Sequence, residues 1–600
     1  MSSSKKNRPV SCSWSHRQLD SLRLHLSRPD ALIQLAFLGL LMGLLTGGII
    51  VLFRLLVEEI QSELLLGNSE NFEALSVEAR FLFPVIGSLI IVLIFHFFSK
   101  GIHVLGVAGV IERMAFHQGY MTLRDFFLQF FGAAVAIISG HSVGREGPNV
   151  FLGAASSSLV GQFLGLPHNS IRTLVGCGTA GGIAASFDTP LAGVIFALEV
   201  VMMEYTLVSF MPIILAAGSA TSISVFVFGS DAAFVVPEIS LGSLIELPLV
   251  IILGLFAGTV SAFFIELLKS VAHQSRKLGF STKLLLAGVM VGLIATIEPG
   301  VMGIGYDTVS QTLAGDMLLN ALLILLVFKL LATAASIGLG IPGGVIGPVL
   351  FMGACLGGAF GLLIRFVFPE LQVDAGFYSL LGMGAVMGAS LQAPLAALTA
   401  IMELTHSPQI IMPGMIAIVI ANLTASELFR KKSLFISVLE ANKVNVYTNP
   451  ITQTLRRIGV GSVMNKAMVQ VAQEIKPEKI ASLLSESPEW LLIANKENKY
   501  TQLMPAIELV KYMEQQGESD YVENHTEASD KDGWIDLLEI PARRIDIVPI
   551  HLQATLEEAL NELDKHDLDA LYVERMNTPG IMHIYGILTR EQIESAYRFK

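Results

Sequence analysis

Long apolar runs, broken by glycine and proline, fill the chain between residue 31 and about residue 443. The clearest are Ala31–Leu56, Phe81–Phe98, Leu247–Leu268, Leu284–Thr296 and Leu318–Leu331. Several of them approach or exceed the roughly 20 residues that a helix needs to cross the hydrocarbon core of a bilayer. The pattern therefore predicts an all-α polytopic membrane protein over this part of the chain.

Other apolar segments are short or interrupted, among them Val104–Phe116, Val150–Leu164 and Val345–Gly361. Free backbone groups at helix ends cannot face lipid, so helices that break at membrane depth must line a cavity in the protein. Close packing through small residues is the alternative, and it accounts for many of the 54 glycines. It does not explain the charged residues that stand beside the breaks.

The pattern changes after about Val446 to that of a soluble α/β domain, with a strand predicted at Trp490–Ile493 and a helix at Thr555–Leu563. We therefore divide the chain into residues 1–30, an N-terminal segment, residues 31–443, the membrane domain, and residues 444–600, a soluble tail. A polar stretch without periodicity near 515–533 predicts a loop inside the tail.

Composition supports this division. Half of the residues are hydrophobic (52%), 15% are charged and the mean hydropathy is +0.62, which favours a bilayer over water as the solvent. The tail holds about 25 acidic and about 16 basic residues and so carries most of the net charge of −12. The first thirty residues are basic, which predicts cytoplasmic termini by the positive-inside rule. We expect the inner or plasma membrane of the cell as the location.

An internal repeat runs through the membrane domain. The pattern Ala185–Glu199 recurs as Ala389–Glu403 with an offset of 204, and Gly144–Ala154 recurs as Gly344–Ala354 with an offset of 200. The two repeats span roughly residues 31–230 and 245–443. Internal repeats are a common build of transporters, in which the substrate binds at the repeat interface.

Two charged residues lie in the recurring block Gly144–Ala154 of the first repeat. Gly144–Pro148 places Arg145 and Glu146 between two apolar segments, where an ionisable residue is costly and is a functional candidate by default. Free amides at a helix start form a positive pocket for an anion, and the Glu146 carboxylate is itself an anion at that pocket. The alternative is an ion pair between Arg145 and Glu146 in a surface loop. Gly340–Pro348 is the partner of this motif in the second repeat, so two helix starts can converge on one point.

These motifs resemble the signatures of the CLC family of chloride channels and transporters. Gly144–Pro148 (GREGP) and Gly343–Pro348 are similar to two of its signatures, and Phe187–Glu199 resembles the helix that follows the gate region. The resemblance covers roughly residues 30–443. It implies inverted repeats, a homodimer with one anion pathway per subunit, and Glu146 as the gating glutamate.

The predicted anion contacts depart from the family pattern at two positions. Where the family has a serine the chain has Ala108, and where it has a tyrosine the chain has Phe435. Each lost hydroxyl should weaken central binding by ~1 kcal/mol, leaving backbone amides and helix dipoles to hold the anion. The full set of predicted anion contacts is Ala108, Gly109, Val110, Gly144, Arg145, Gly147, Val345, Ile346, Gly347 and Phe435.

A third departure concerns protons. The resemblance places the internal proton acceptor of coupled members at Val200, which cannot carry a proton. This favours channel-like conduction of chloride and similar anions, and proton-coupled exchange by another proton route stays open as the alternative. Glu199 and Glu403 are equivalent in the repeat, and we expect a structural role for both rather than a proton site.

The tail from about Gly459 to Lys600 resembles a pair of CBS modules, as appended to many members of the family. The nucleotide pattern near Tyr585–Thr589 normally continues with an aspartate for ribose, and this chain has Gln592. We therefore expect dimer support rather than nucleotide binding, and no cofactor.

The scattered cysteines, Cys12, Cys177 and Cys355, predict neither a disulfide nor a metal site. We expect anions, lipid and a second copy as partners, with protons in the exchanger alternative, and no nucleic acid. We expect no enzyme activity.

Overall fold

The computed structural model describes residues 23–28, 31–65, 71–98, 105–229, 244–371, 373–405, 408–444, 446, 450–485, 487–495, 499–519, 534–578 and 581–598. The described residues divide into two compact units. The membrane unit lies within residues 32–164 and 171–447. The C-terminal unit is formed by residues from 448 onward, together with residues 165–170 and the described residues before 32.

Helices joined by short loops make up the described residues of the membrane unit. Its α-helices are, in chain order, α1 (Leu32–Leu64), α2 (Val77–Phe98), α3 (Gly106–Phe116), α4 (Leu123–Ile138), α5 (Glu146–Phe163), α6 (His168–Phe187), α7 (Pro190–Phe196), α8 (Leu207–Phe228), α9 (Leu247–Gln274), α10 (Phe280–Ile297), α11 (Tyr306–Ala314), α12 (Leu319–Gly338), α13 (Ile346–Val367), α14 (Ala375–Leu391), α15 (Pro394–Thr405), α16 (Ile411–Leu423) and α17 (Leu434–Ala441). Eight helices in the described part of the chain are long and apolar enough to cross a membrane. The predicted polytopic helical fold is confirmed.

The predicted spans agree with the observed helices, with one correction. The segment Val345–Gly361, predicted as a short or broken helix, continues as α13 to Val367 and is long enough to cross the bilayer. Arg365 lies in its last turn, where a cation interacts favourably with the free carbonyls of the helix C-terminus. Arg365 is therefore compatible with the last turn of this helix.

Glycine packing repeats in the two halves of the unit. A Cβ atom on Gly153 of α5 would lie 2.1 Å from the Gly178 carbonyl oxygen of α6, so the two backbones touch at this point. A Cβ atom on Gly353 of α13 would lie 2.5 Å from the Gly382 carbonyl oxygen of α14. These two pairs are separated by the same offsets, 200 and 204, as the sequence blocks. The sequence repeat is thus also a repeat of helix packing.

The C-terminal unit contains helices and a sheet. Its elements are α18 (Pro450–Arg457), α19 (Val460–Val463), β1 (Met468–Ala472), β2 (Glu474–Ile475), α20 (Pro477–Leu484), β3 (Trp490–Ala494), β4 (Tyr500–Pro505), α21 (Ala506–Ser519), β5 (Ile535–Asp536), β6 (Ile545–His551), α22 (Leu556–His566), β7 (Ala570–Thr578), β8 (Ile581–Thr589) and α23 (Arg590–Arg598). The main sheet has the strand order β1-β3-β4-β6-β7-β8. The predicted strand and helix of the tail correspond to β3 and α22.

The two halves of this sheet have the same build. In the first, β1 pairs parallel with β3 across α20, and β3 pairs antiparallel with β4, which leads into α21. In the second, β6 pairs parallel with β7 across α22, and β7 pairs antiparallel with β8, which leads into α23. Antiparallel pairing of β4 with β6 joins the halves. The unit is therefore a duplicated strand-helix-strand-strand-helix arrangement.

Two details of the tail bear on the sequence analysis. The loop predicted near 515–533 begins too early, because α21 continues to Ser519, while residues 520–533 lie outside the described residues.

Gln592 accepts a hydrogen bond from the Thr589 amide at 2.9 Å, and the Gln592 amide donates to the Thr589 hydroxyl at 3.3 Å. This reciprocal pair caps the start of α23, so Gln592 has a structural role in this helix.

Candidate anion-binding site

The loops that precede α5 and α13 are joined to each other. The Gly144 amide donates to the Gly344 carbonyl at 2.7 Å, and the Gly344 amide donates to the Gly144 carbonyl at 2.7 Å. A Cβ atom on Gly344 would lie 2.6 Å from the Gly147 nitrogen, so only glycine permits this approach. The expectation that two repeat-related helix starts converge is met by this geometry.

Glu146, the first residue of α5, turns its carboxylate toward the start of α13. Its side chain is fully buried. One carboxylate oxygen accepts a hydrogen bond from the Gly347 amide at 3.1 Å, and the other accepts from the Tyr306 hydroxyl at 2.5 Å. A free amide in the first turn of a helix is a natural anion ligand. The carboxylate thus occupies a position that is built to hold a negative charge.

Arg145 points away from this carboxylate. Its guanidinium pairs with Glu58 of α1 at 3.2 Å and lies 5.2 Å from the centre of the Tyr306 ring. Glu58 is shared with Arg54, at 2.7 Å. The alternative of an Arg145–Glu146 ion pair in a surface loop is therefore wrong, because Glu146 is buried and Arg145 has Glu58 as an ionic partner. Arg145 instead flanks the tyrosine that contacts Glu146.

A cavity of about 150 Å³ lies beside the paired loops. Ala108 of α3, Gly147 of α5, Val345 and Phe435 of α17 all line it, so the structure brings these four predicted residues together. No hydroxyl side chain is among the lining residues in the described part of the chain. Among the described lining residues, Lys283 of α10 is the one with a full positive charge.

The remaining predicted contacts divide between the carboxylate and the surrounding core. Gly144 and Gly347 surround the Glu146 carboxylate, since a Cβ atom on Gly144 would lie 2.1 Å from one of its oxygens. Gly109, Val110 and Ile346 are buried in α3 and α13 but are not among the residues that line the cavity. Six of the ten predicted residues therefore adjoin either the buried carboxylate or the cavity, and the other four, Gly109, Val110, Ile346 and Arg145, adjoin neither.

Glu199 and Glu403 make reciprocal contacts between the repeats. The Glu199 carboxylate accepts from the Leu395 and Ala396 amides at 3.3 and 2.7 Å, at the start of α15. The Glu403 carboxylate accepts from the Leu191 and Ala192 amides at 2.9 and 2.7 Å, at the start of α7. Each acid thus caps a helix of the other repeat, which agrees with the structural role expected for both.

Val200 lies in a π-helical turn, Ala197–Met202, that follows α7. Its side chain is buried, as are those of the adjoining Val201 and Met202. Turns of this kind occur often at functional sites. Here the turn directs Glu199 toward α15 and leaves an apolar position next to it.

The sequence analysis missed Tyr306 and Glu58, and it also missed a match to a hydrolase pattern. Gly140-His141-Ser142-Val143-Gly144 fits G-x-S-x-G. Ser142 is fully buried, its hydroxyl shares a 2.9 Å hydrogen bond with the Thr333 hydroxyl, and the segment precedes a helix without a strand before it. The nucleophile elbow of a hydrolase is a strand-to-helix turn that exposes the serine, so this match does not indicate one.

Comparison with known protein families decides the identity of the membrane unit. The family model described as "Voltage gated chloride channel" matches residues 86–426. The chain belongs to this family, the CLC family. Membership makes it a multi-pass integral membrane protein that transports anions, and CLC proteins are transporters or channels rather than enzymes.

Among CLC relatives, a ClcB-like chloride channel protein of Ralstonia nicotianae is 33% identical over 353 residues, which are 58% of this chain and 82% of the relative. The H(+)/Cl(-) exchange transporter ClcA of Vibrio cholerae serotype O1 is 29% identical over 406 residues, which are 66% of this chain and 86% of the relative. The relatives therefore include one named as a channel protein and one named as an exchanger.

Two solved CLC structures share the fold. A slow cyanobacterial Cl-/H+ antiporter matches with a TM-score of 0.61 at 21% identity and covers 68% of this chain and 97% of its own. A eukaryotic CLC transporter matches with a TM-score of 0.56 at 17% identity and covers 96% of this chain and 98% of its own. The second match extends into the C-terminal unit.

Proposed function

We propose that this protein conducts chloride and similar anions along a pathway gated by Glu146. The observation that carries the proposal is the position of the Glu146 carboxylate, which is buried and bound by the Gly347 amide at the start of α13. In its charged form this carboxylate fills a place that a halide needs. Protonation removes the charge that holds it there, so an anion from the neighbouring cavity can take the vacated amide.

We further propose that conduction is passive. Proton-coupled exchange needs an acid on the cytoplasmic side that passes protons toward Glu146, and the expected position is Val200, buried beside Val201. The adjacent Glu199 carboxylate already accepts hydrogen bonds from the Leu395 and Ala396 amides. The second candidate function is proton-coupled exchange by another route, and the observation that favours it is the exchanger name of the ClcA relative.

Chloride accumulation in liposomes separates the two candidates. Purified protein is reconstituted, a pH gradient is imposed, and the membrane potential is held near zero with valinomycin and potassium. We expect an existing chloride gradient to dissipate without any uphill accumulation. Accumulation of chloride against its gradient would contradict passive conduction and would support exchange. Absence of any anion flux would contradict both candidates.

A variant pair extends the test. Val200→Glu introduces the missing acid at the position that the family uses, whereas Val201→Glu places the same acid at the adjacent buried position as a matched control. We expect Val200→Glu to gain proton-driven accumulation and Val201→Glu to gain none. Equal behaviour of both variants would show that the position of the acid is not what limits coupling.

We also propose a homodimer with cytoplasmic termini in the inner or plasma membrane, in which the C-terminal unit supports the dimer without a bound nucleotide. The duplicated strand-helix-strand-strand-helix build supports assignment of this unit as a CBS pair. The capping role of Gln592 argues against a ribose contact there. Light scattering of the full chain in detergent, together with calorimetry against ATP, tests the dimer and the absence of nucleotide binding.

A further inference from the structure

Lys329 is a fully buried cation in the middle of a membrane span. It lies in α12, Leu319–Gly338, and its side chain has no exposed surface. A charged side chain at this depth is expensive, and it persists where the protein supplies partners for the charge. The contacts of its ammonium group therefore indicate the role of Lys329.

Three backbone carbonyls surround the ammonium group. Nζ donates to the carbonyl oxygens of Val301, Gly303 and Ile304 at 3.1, 3.0 and 3.2 Å. An ammonium has three N–H donors, which matches three acceptors, whereas a neutral amine has two. The Phe351 ring lies 4.5 Å from Nζ and adds a cation–π contact. The arrangement fits an ammonium group that orders one short loop.

This loop leads directly into the tyrosine that contacts Glu146. Gly305, with a φ of +84°, caps α11, and Tyr306 is the first residue of that helix. The Gly303 amide donates to the Gly140 carbonyl at 3.2 Å, four residues before Gly144. The loop is thus fixed to Lys329 on one side and to the segment that leads to the paired loops on the other.

The approach of the loop to Lys329 is close. A Cβ atom on Gly305 would lie 3.4 Å from the Lys329 Nζ and 2.8 Å from the Phe351 ring. The residue immediately before Tyr306 therefore packs directly on the lysine and its aromatic neighbour. A shift of the loop would move the Tyr306 hydroxyl, which donates to the Glu146 carboxylate at 2.5 Å.

We propose that Lys329 is a positioning residue for the gate. It holds the loop of residues 301–305 so that the Tyr306 hydroxyl donates to the Glu146 carboxylate, and it thereby sets the pH at which the carboxylate leaves its place. This inference rests on the proposed function, because it acts through the gating role of Glu146. Lys329 itself touches neither the carboxylate nor the anion pathway in the contacts described above.

The test is the pH dependence of anion flux in liposomes for Lys329→Met, Tyr306→Phe and the double variant. Without the lysine, the loop loses three hydrogen bonds and the hydroxyl loses its fixed position. We expect Lys329→Met to move the midpoint of the flux–pH curve to higher pH by about as much as Tyr306→Phe does. The double variant should have the midpoint of Tyr306→Phe alone, since both changes act through one contact.

Two further variants separate positioning from general destabilisation. Leu322→Ala removes packing of the same helix against Gly358, far along α13 from Gly347, and should lower thermal stability without moving the midpoint. Lys329→Gln keeps two N–H donors and should shift the midpoint less than Lys329→Met. If the methionine variant does not fold, the glutamine variant, alone and with Tyr306→Phe, decides the question.

The variant Glu146→Gln distinguishes failure of the proposed function from failure of the positioning role of Lys329. If Glu146→Gln leaves the flux–pH curve of the wild type unchanged, the proposed function fails and the role of Lys329 fails with it. If Glu146→Gln and Tyr306→Phe change the curve while the Lys329 variants do not, the positioning role alone is overturned. Additive shifts of the midpoint in the double variant would also overturn the positioning role, because they would mean that Lys329 acts on the gate independently of Tyr306.

Discussion

Gly144 and Gly344 exchange two hydrogen bonds of 2.7 Å, although 200 residues separate them in the chain. They are equivalent positions of the internal repeat, and each donates its amide to the carbonyl of the other. Each stands just before the first turn of a helix, α5 or α13. The pair therefore fixes the distance between two helix starts and brings Glu146 of one within reach of the Gly347 amide of the other.

Gly144→Ala should displace the gate without changing its charge. The added Cβ atom would lie 2.1 Å from a Glu146 carboxylate oxygen, and the end of that side chain is the part that can move. Loss of hydrogen bonds to a charged group, each worth roughly 1.5–3 kcal/mol, predicts a rise in flux at high pH of roughly tenfold or more. Flux in liposomes measures it, with Gly144→Ala/Glu146→Gln as the control. The double variant should match Glu146→Gln alone.

Tyr306→Phe should make the gate open at higher pH. The hydroxyl donates to the carboxylate at 2.5 Å and stabilises its charged form. Removal of a hydrogen bond worth roughly 1.5–3 kcal/mol should move the flux midpoint upward by about one to two pH units. A downward shift, or a change in maximal flux at a constant midpoint, would contradict the role given to Tyr306.

Hydroxyls returned to the cavity should strengthen halide binding. Ala108 and Phe435 line a cavity without hydroxyl side chains in its described lining, and each restored donor is worth ~1 kcal/mol. The variant Ala108→Ser/Phe435→Tyr should therefore bind chloride about 30-fold more tightly in calorimetry. Ala108→Cys, which adds similar volume with a weak donor, is the matched control. Unchanged affinity would mean that water already supplies the missing donors.

Glu199→Gln and Glu403→Gln should behave alike. Both carboxylates accept two amides at the start of a helix of the other repeat, and loss of such a cap costs about 0.5–2 kcal/mol. We expect both variants to lower the unfolding temperature while the flux–pH midpoint stays that of the wild type. A change in proton coupling in Glu199→Gln alone would identify it as a proton site and contradict the capping role.

The sequence predicted the site where its signals were local or repeated. Spans followed from apolar length, and the repeat predicted that the helix starts after Gly144 and Gly344 can converge. Lys329 also has a local signal, because it is the one charged residue in a helix of 20 residues.

Other contacts had no such signal. Tyr306 begins a helix of nine residues after a glycine-rich loop, and its contact with Glu146 joins positions 160 residues apart that the repeat does not relate. The partner of Arg145, Glu58, lies 87 residues away on α1. Contacts of this kind are set by tertiary packing, so spacing along the chain does not encode them.

Anion flux through Glu146→Gln in liposomes, measured from about pH 4.5 to pH 8.5 beside the wild type, tests the central claim most directly. Glutamine keeps the size of the side chain and removes the charge that holds it against the Gly347 amide. The account predicts wild-type flux that rises as the pH falls, and variant flux that is high and constant over the whole range. Variant flux that follows the wild-type curve at every pH would contradict it and remove Glu146 from the pathway.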